Sequence, residues 1–318
     1  MERIVITGFS GFVAKHFIEY LYNERIDCEV LGLSREPSKE DYSKYLDRIS
    51  ISFQSVDLLD KERLRVAISN FGPDYVLHLA AFSSVAYSWK HPTESFTNNS
   101  NLFLNLIDVI REIKPSCRIL SVGSSEEYGN VSKEYLPLRE NHMLEPISPY
   151  AVARVSQELM SKVYAKAFGL DIIMTRSFNH IGPGQDDRFV VPSFIKRILE
   201  IREKGLLEGT IETGDLSIVR DFVDVRDVVR AYYILLKKGT SGEIYNICSG
   251  QAIKLSEAIN CIAEELGVKV NTIVNPEYVR PADNREIVGS NYKIHSELGW
   301  IPEISFRDTI RDMINYYC

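Results

Sequence analysis

Short apolar runs rich in β-branched residues alternate with longer amphipathic segments along the first part of the chain. Residues 3–7 predict a strand, and Val13, Phe17 and Leu21 then recur at the i, i+4, i+8 spacing of a helix. Further strands are predicted at 29–33, in the run that stops at Asp57, at 75–81 and at 118–122. This alternation predicts an α/β fold: a doubly wound parallel sheet of the Rossmann type, with ligands beyond the carboxyl ends of its strands.

The turn between the first strand and the first helix has the spacing GxxGxxA. It contains Gly8, Phe9, Ser10, Gly11, Phe12 and Val13. Such a turn lets the backbone approach a pyrophosphate at a helix N-terminus, where free amides and the helix dipole favour anions. The spacing differs by one residue from the dinucleotide fingerprint GxGxxG, and a glycine turn is also compatible with a simple tight connection. Because a clear helix follows, we favour a dinucleotide cofactor.

The second strand ends in Ser34 and Arg35, where an acidic residue would normally hold the 2′-hydroxyl of an adenosine ribose. A hydroxyl and a guanidinium suit a 2′-phosphate, so NADP(H) is favoured over NAD(H), and a surface arginine without a ligand is the alternative. Asp57, followed by Leu58, is positioned to reach the adenine amine. His78 lies inside an apolar run and is interpreted as a core histidine. The end of that strand permits close approach of a cofactor at Leu79, Ala80 and Ala81.

Amphipathic helices in the second half of the chain predict a smaller α/β lobe. Apolar residues recur at helical spacing within 189–203, 255–266 and 306–317. A length of 318 residues also suggests two lobes. We predict a dinucleotide-binding domain over residues 1–177, with 219–248 returning to it, and a substrate-binding lobe over 178–218 and 249–318.

Composition argues against several classes of function. The net charge of −7 disfavours a nucleic-acid-binding surface, and no apolar run approaches the roughly 20 residues that span a bilayer. The five cysteines show no CxxC or other metal-ligand spacing, so we expect buried free thiols and no metal. Because the start reads as a strand entering a turn, not as a signal peptide, we expect a cytoplasmic protein.

Ser148 and Pro149 form a helix-start signal that places Tyr150 in the first turn and Arg154 one turn later on the same face. A guanidinium at this spacing favours the phenolate and eases movement of a proton on or off the phenol oxygen. A packed ring beside a solvated charge is the alternative. The functional interpretation is strengthened by Ser124, at the end of the fifth strand, which could donate a hydrogen bond to a substrate carbonyl or alkoxide.

The chain resembles the extended short-chain dehydrogenase/reductases that act on nucleotide sugars, over essentially its whole length. The matching motifs, in order, are TGFSGF, HLAA, GSSEEYG, SPYAVAR, TRSFNHIGPGQ, RDFVDVRD, RPAD and LGWIP. Within that family the chain is most similar to the GDP-4-keto-6-deoxy-D-mannose reductases, which make GDP-D-rhamnose, in NHIGPGQ, VRDFVDVRD and the doublet Glu126-Glu127. GDP-mannose 4,6-dehydratases share the residues that match Ser124, Glu126 and Tyr150. They differ in the motif RDW, because Phe222 stands here in place of its tryptophan.

The resemblance implies a role for each matching residue. Ser124 orients the sugar C4 oxygen, Tyr150 donates the proton, and the nicotinamide delivers hydride to C4. The family has lysine, which bonds the nicotinamide ribose, where Arg154 stands; arginine keeps the charge but cannot relay a proton, and its larger fork predicts a shift of the ribose or of Tyr150. Asn99 is implied at the cofactor. The residues implied at the substrate are Ser83, Ser125, Asn179, Val190, Arg220, Arg280 and Asp283.

The sequence therefore predicts an NAD(P)H-dependent 4-keto reductase of a GDP-6-deoxyhexose, with Ser124, Glu126, Tyr150 and Arg154 as catalytic residues. One alternative is a 4,6-dehydratase, in which Glu126 removes the C5 proton after transient oxidation at C4. Another is a Rossmann protein that senses the dinucleotide ratio without turnover. The resemblance also implies a homodimer formed by the helix around 102–110 and the helix that carries Tyr150.

Overall fold

The computed structural model describes residues 1–279 and 284–318. In chain order the strands are β1 (Glu2–Thr7), β2 (Cys28–Ser34), β3 (Ile49–Ser55), β4 (Tyr75–His78), β5 (Arg118–Ser124), β6 (Ile172–Ser177), β7 (Asn179–Ile181), β8 (Glu208–Thr213), β9 (Val219–Asp224), β10 (Ile244–Ile247), β11 (Ala252–Lys254), β12 (Lys269–Val274) and β13 (Glu286–Ile287). The α-helices are α1 (Phe12–Asn23), α2 (Lys61–Phe71), α3 (Val85–Lys90), α4 (Pro92–Ile113), α5 (Pro149–Phe168), α6 (Val190–Glu203), α7 (Val225–Lys238), α8 (Leu255–Leu266), α9 (Tyr292–Leu298) and α10 (Phe306–Tyr317).

Seven strands form the large sheet in the order β10-β6-β5-β4-β1-β2-β3, and each neighbouring pair is parallel. The chain winds outward from β1 in one direction and from β4 in the other, so the strand order reverses between these two strands. This arrangement confirms the predicted doubly wound Rossmann fold. Ligand sites in such sheets lie at this reversal, beyond the carboxyl ends of the strands.

Helices cover both faces of the large sheet. On one face α1 and α7 bury an apolar cluster that includes Phe17 and Leu235. On the other face α2, α4 and α5 pack over a second cluster, which includes Leu64 and Ile107. Strands covered on both faces need apolar residues at successive positions, which explains the continuous β-branched runs in the sequence.

The smaller lobe contains two short sheets and the helices α6, α8 and α10. In one sheet β9 pairs with β7, β11 and β13, and in the other β8 pairs with β12. Ile198, Ile262 and Ile314 belong to the apolar core of this lobe. Within 219–248, α7 packs on the large sheet and β10 joins its edge, whereas β9 pairs inside the small sheet. The division into two domains stays a prediction.

Two strands of the large sheet that lead into the predicted site, β4 and β5, end at residues other than those the sequence predicts. β4 stops at His78, and the next three residues leave the sheet, because the Leu79 and Ala80 amides donate to the carbonyl and hydroxyl of Thr7 (3.3 and 3.2 Å). β5 runs on to Ser124, because it pairs with β6 as far as Ser177.

Over 1–279 and 284–318, the helices are too short or too polar to cross a membrane.

Candidate active site

Gly8 and Gly11 shape the turn between β1 and α1. Gly8 has a φ of +69°, and a Cβ there would lie 2.9 Å from the backbone of Ala80, so the turn requires glycine. Gly11 is the N-cap of α1, and no side chain caps this helix end. The first turn of α1 therefore presents free amides beside a space that glycine keeps open, which fits the pyrophosphate of a dinucleotide.

The turn opens into a cleft of about 1800 Å³ that extends from the carboxyl edge of the large sheet to the small lobe. Sites for one small ligand occupy roughly 300–1,000 Å³, so this cleft is large enough for two ligands side by side. The predicted site residues that line it are Gly8, Ser10, Gly11, Phe12, Val13, Ser34, Arg35, Asp57, Leu58, Leu79, Ala80, Ala81, Ser83, Ser124, Ser125, Glu126, Tyr150, Arg154, Asn179, Val190 and Arg220.

Phe9 and Asn99, both predicted at the cofactor, lie behind the cleft wall. The Phe9 ring packs so closely on Gly32 that a Cβ there would lie 2.3 Å from it, and it also contacts the Tyr42 ring (centroids 5.1 Å apart). Asn99 accepts a hydrogen bond from the Phe82 amide (2.8 Å) and donates one to the Phe82 carbonyl (3.3 Å). These two side chains support the backbone of the cleft, and a contact of either residue with the cofactor stays a prediction.

Arg35 lies on the cleft wall at the carboxyl end of β2. Its guanidinium carbon is 5.3 Å from the centroid of the Phe82 ring, an interaction that holds a cation in place without neutralising it. The neighbouring Ser34 hydroxyl donates to the Glu36 carbonyl (2.6 Å) and so closes the turn that presents Arg35. A cation held in this way fits the predicted 2′-phosphate.

The N-terminus of α5 brings Tyr150 and Arg154 together. The Ser148 hydroxyl accepts from the Ala151 amide (3.1 Å), and this cap starts the helix where the sequence predicts. Both side chains are buried, and Arg154 Nε donates to the Tyr150 oxygen at 3.2 Å. The predicted proximity of the phenol and the cation is therefore present, and the oxygen has a positive group directly beside it.

The doublet Glu126-Glu127 divides between the cleft and the interior. Glu126 lines the cleft, where its Oε2 accepts from Asn284 Nδ2 (3.2 Å). Glu127 is fully buried, and its Oε1 accepts from the backbone amide of Ser124 (2.7 Å). The Ser124 oxygen in turn accepts from the Glu126 amide (3.3 Å). The two glutamates thus fix the strand end that presents the Ser124 hydroxyl to the cleft.

Buried charges lie beneath this strand end. Burial, together with repulsion by the Glu158 carboxylate, raises the pKa of Glu127 to about 8. Glu158 is itself buried, but two hydrogen bonds from Arg176 (2.8 and 2.9 Å) and the charge of that arginine hold the pKa of Glu158 below its ordinary value. Glu127 therefore keeps its proton at neutral pH, whereas Glu158 is ionised.

His78 is enclosed at the end of β4. Burial, and then the charge of Arg154, lowers the pKa of His78 to about 3, and its Nδ1 lies 2.9 Å from the Thr7 hydroxyl. A histidine that stays neutral throughout the physiological range does not supply or accept a catalytic proton there. The structure thus agrees with its interpretation as a core residue.

On the substrate side, Ser83, Ser125, Asn179 and Val190 line the same cleft. Arg220 is almost completely buried, and its Nη1 donates to the Asn284 carbonyl at 2.7 Å. Two other residues predicted to contact the substrate, Arg280 and Asp283, lie outside the described residues. In 1–279 and 284–318 no group of three or more His, Cys, Asp or Glu side chains is arranged to hold a metal ion.

Two of the buried residues of the site, Glu127 and Gln157, are assigned no role in it from the sequence. Glu127 supports Ser124 from below, and Gln157 accepts a hydrogen bond from Arg154 Nη1 (2.6 Å). The position of Gln157, three residues after Arg154 on a helix, indicates that the two side chains can meet. Nothing in the local pattern shows that both point into the protein.

A parallel sheet whose strand order reverses at a glycine turn, with a tyrosine and a cation at its carboxyl edge, defines a short-chain dehydrogenase/reductase of the Rossmann type. The chain belongs to the GDP-mannose 4,6-dehydratase family, because the family model of that description matches residues 5–313. The predicted family is confirmed.

Individual relatives cover almost the whole chain. The GDP-6-deoxy-D-mannose reductase of Pseudomonas aeruginosa is 32% identical over 314 residues, which are 99% of this chain and 96% of the relative. The solved structure of RMD from the same species complexed with NADPH has 31% identity and a TM-score of 0.84, covering 100% of this chain and 99% of that one. The UDP-glucose 4-epimerase of Thermotoga maritima, solved with UDP-glucose, has 28% identity and a TM-score of 0.87, covering 99% and 98%.

Proposed function

We propose that this protein reduces the C4 ketone of a GDP-4-keto-6-deoxy sugar, with NADPH favoured over NADH as reductant, to a product of the GDP-D-rhamnose type. The observation that carries the proposal is the Tyr150 phenol beside Arg154 at the carboxyl edge of the sheet, in a cleft with room for two ligands. The similarity to a GDP-6-deoxy-D-mannose reductase supports the choice of sugar.

The cofactor fits the glycine turn, which would hold its pyrophosphate, while Arg35 and Ser34 would meet its 2′-phosphate. When bound there, the nicotinamide supplies the hydride that C4 receives. The substrate ketone oxygen needs a donor while it becomes an alkoxide. Because the Ser124 oxygen already accepts from the Glu126 amide, its own hydroxyl proton is left to donate to the substrate oxygen.

Tyr150 completes the reduction by donating its proton to the C4 alkoxide. Its oxygen accepts from Arg154 Nε, so the phenol proton is directed to another acceptor, and the positive charge stabilises the phenolate that remains. Water from the cleft then returns a proton to the phenolate. Asn179, Val190 and Arg220, together with Arg280 and Asp283, are proposed to bind the GDP-sugar.

A 4,6-dehydratase is the second candidate, because Glu126 lines the cleft two residues after Ser124. In that reaction Glu126 would remove the C5 proton, water would leave across C5 and C6, and the hydride taken from C4 would return to C6. The two functions differ in net cofactor consumption, because the reductase consumes one NADPH per sugar and the dehydratase consumes none.

The test is incubation of the purified protein with NADPH and GDP-4-keto-6-deoxymannose. We expect NADPH absorbance to fall in step with formation of a single C4 epimer, and the matched Tyr150→Phe variant to be inactive. A second reaction with GDP-mannose and NADP⁺ should yield no keto sugar. Keto-sugar formation from GDP-mannose without reduction of the ketone would show a dehydratase. Cofactor binding without either reaction would indicate a dinucleotide sensor.

We also propose that the protein forms a homodimer through α4 and α5. The outward face of α5 exposes Val152, Leu159 and Val163, with 43%, 52% and 51% of each residue accessible, at the i, i+7, i+11 spacing of one helix face. Phe96 of α4 is 41% exposed. Apolar residues in such a row are better covered by a second copy than by water.

A further inference from the structure

The Arg154 guanidinium is engaged by acceptors of the protein itself. Nε donates to the Tyr150 oxygen (3.2 Å), and Nη1 donates to both Gln157 Oε1 (2.6 Å) and the Val122 carbonyl (3.1 Å). Arg154 is 5% exposed, so its side chain is held almost entirely inside the protein. Much of the donor capacity that a ribose hydroxyl would use is therefore directed inward.

The Val122 carbonyl is available because of the sheet topology. β4 pairs with β5 only as far as Ser121, so beyond that point β5 has no neighbouring strand on the β4 side. The carbonyl of Val122 accepts there from Arg154 Nη1 and from Gln157 Nε2 (3.0 Å). A buried carbonyl at a strand end needs such partners, and α5 supplies two of them.

Gln157 has the two chemical functions that this place requires. Its Oε1 accepts from a guanidinium, which can only donate, while its Nε2 donates to the Val122 carbonyl and to Ser121 Oγ (2.9 Å). A glutamate would put a second acceptor against these two oxygens and would neutralise the cation. An apolar side chain would leave the guanidinium without its shortest hydrogen bond.

We propose that Gln157 is a positioning residue that, with the Val122 carbonyl, holds the Arg154 guanidinium against the Tyr150 oxygen, so that Nε serves the tyrosine, Nη1 serves the protein, and Nη2 alone is left for a cofactor ribose. The proposal rests on the reduction proposed above. It revises the role implied by the family resemblance, in which a lysine bonds the nicotinamide ribose. Gln157 is buried and does not line the cleft, so it acts through Arg154.

Three other titratable groups interact electrostatically with Arg154 from neighbouring elements. His78 at the end of β4 is neutral, and burial raises the pKa of Tyr232 on α7 above its ordinary value. Glu127, below β5, keeps its proton until about pH 8. At neutral pH all three are uncharged, so Arg154 is the charged group among them that acts on the phenol. The pH experiments below must therefore include a Glu127→Gln reference.

The kinetic test is a double-mutant cycle between Gln157→Met and Arg154→Lys. In the native background Gln157→Met should lower kcat by about tenfold, a size typical of coupling within one buried network, with the NADPH dissociation constant unchanged within about twofold. In the Arg154→Lys background the same change should cost less than about threefold, because lysine does not need the amide. Ser156→Ala is the matched control: this partly buried residue directly precedes Gln157 on α5, and its replacement should leave kcat unchanged.

The second test uses cofactor-free protein and does not depend on activity. Tyrosine labelled with ¹³C at Cζ reports ionisation of each phenol, and Tyr150→Phe assigns the relevant signal. The phenol-to-phenolate transition of Tyr150 should move to higher pH in Gln157→Glu, where the cation is neutralised, and also in Gln157→Met. It should stay in place in Ser156→Ala, and Glu127→Gln supplies the reference above pH 8.

The outcomes separate this proposal from the proposed function. An unmoved transition in both Gln157 variants would overturn the positioning role, whatever the enzyme catalyses. The positioning role would also be overturned if Gln157→Met lowered kcat by the same factor in the native protein and in Arg154→Lys. A loss of NADPH affinity as large as the loss in kcat would overturn it too, because both results are expected of a residue that only supports the fold. A shifted transition in a protein that does not reduce the ketone would keep the positioning role and refute the reductase.

Discussion

Glu127 makes stability depend on pH in an unusual direction. The unfolded chain releases this proton near the ordinary pKa of 4.5, whereas the folded protein holds it until the raised pKa of about 8. Between these two values the folded state binds more protons than the unfolded state, so the free energy of unfolding falls as pH rises. At pH 7 the effect of this group is about 3 kcal/mol relative to pH 4, and it levels off above pH 8 at about 5 kcal/mol.

Glu127→Gln removes this ionisation and keeps the contact that matters. The glutamine oxygen can still accept from the Ser124 amide, which now pairs with Glu127 Oε1 at 2.7 Å. We expect the variant to match the native protein near pH 5 and to exceed it by roughly 3 kcal/mol at pH 7 and somewhat more at pH 8. Glu127→Leu should instead lose about 1–3 kcal/mol even at low pH, because the Ser124 amide is left buried and unpaired.

Urea denaturation of the three proteins at several values between pH 5 and pH 8 measures these differences. Glu126→Gln, one residue earlier and lining the cleft, is the control and should show a difference from native that does not grow with pH. A gap between Glu127→Gln and the native protein that is equal at pH 5 and pH 8 would refute the reasoning, because it would show that Glu127 ionises normally despite its burial.

Three further predictions concern the cofactor, the chemistry and the assembly. Tyr150→Phe should lower turnover by about 10² to 10⁴ with NADPH affinity nearly unchanged in a fluorescence titration, and native activity would refute its role as the acid. Arg35→Asp should shift preference from NADPH towards NADH by roughly 10- to 100-fold in kcat/KM, since a charged hydrogen bond is worth about 1.5–3 kcal/mol; an unchanged ratio would place Arg35 outside the site. Leu159→Glu should convert a dimer to a monomer in sedimentation, and a native protein that is already monomeric would contradict the proposed interface.

Local signals were sufficient to predict the frame of the site. The glycine turn before α1 and the Ser148-Pro149 start of α5 depend on residues next to one another in the chain, and the structure places both where the pattern predicts. The reversal of strand order follows from the alternation of strands and helices. These features could be predicted because each depends on backbone geometry over a few residues.

The features that local patterns leave open depend on contacts distant in sequence. Phe9 lies inside the glycine turn, but Gly32, on the neighbouring strand, leaves the gap that the ring fills. β9 pairs with three short strands of the small lobe, and those partners lie far from it in the sequence or follow it after a helix. Glu126 and Glu127 are neighbours of the same residue type. Glu126 lines the cleft and Glu127 is buried, and only the packing of the strand end decides between them.

The presence of arginine at position 154 is explained by the hydrogen-bond acceptors around its guanidinium more than by its charge. A lysine ammonium carries three donors and an arginine guanidinium five, so burying arginine requires more acceptors in fixed places. Val122 offers a carbonyl because β4 ends early, and Gln157 offers an amide oxygen on the same helix. Arg154→Lys would place a smaller donor group, an ammonium, near a ribose hydroxyl. It would leave the Gln157 oxygen buried without its hydrogen-bond donor. The residue at 154 and the residue at 157 therefore have to be considered as one unit, because the effect of replacing either one depends on which residue stands at the other position.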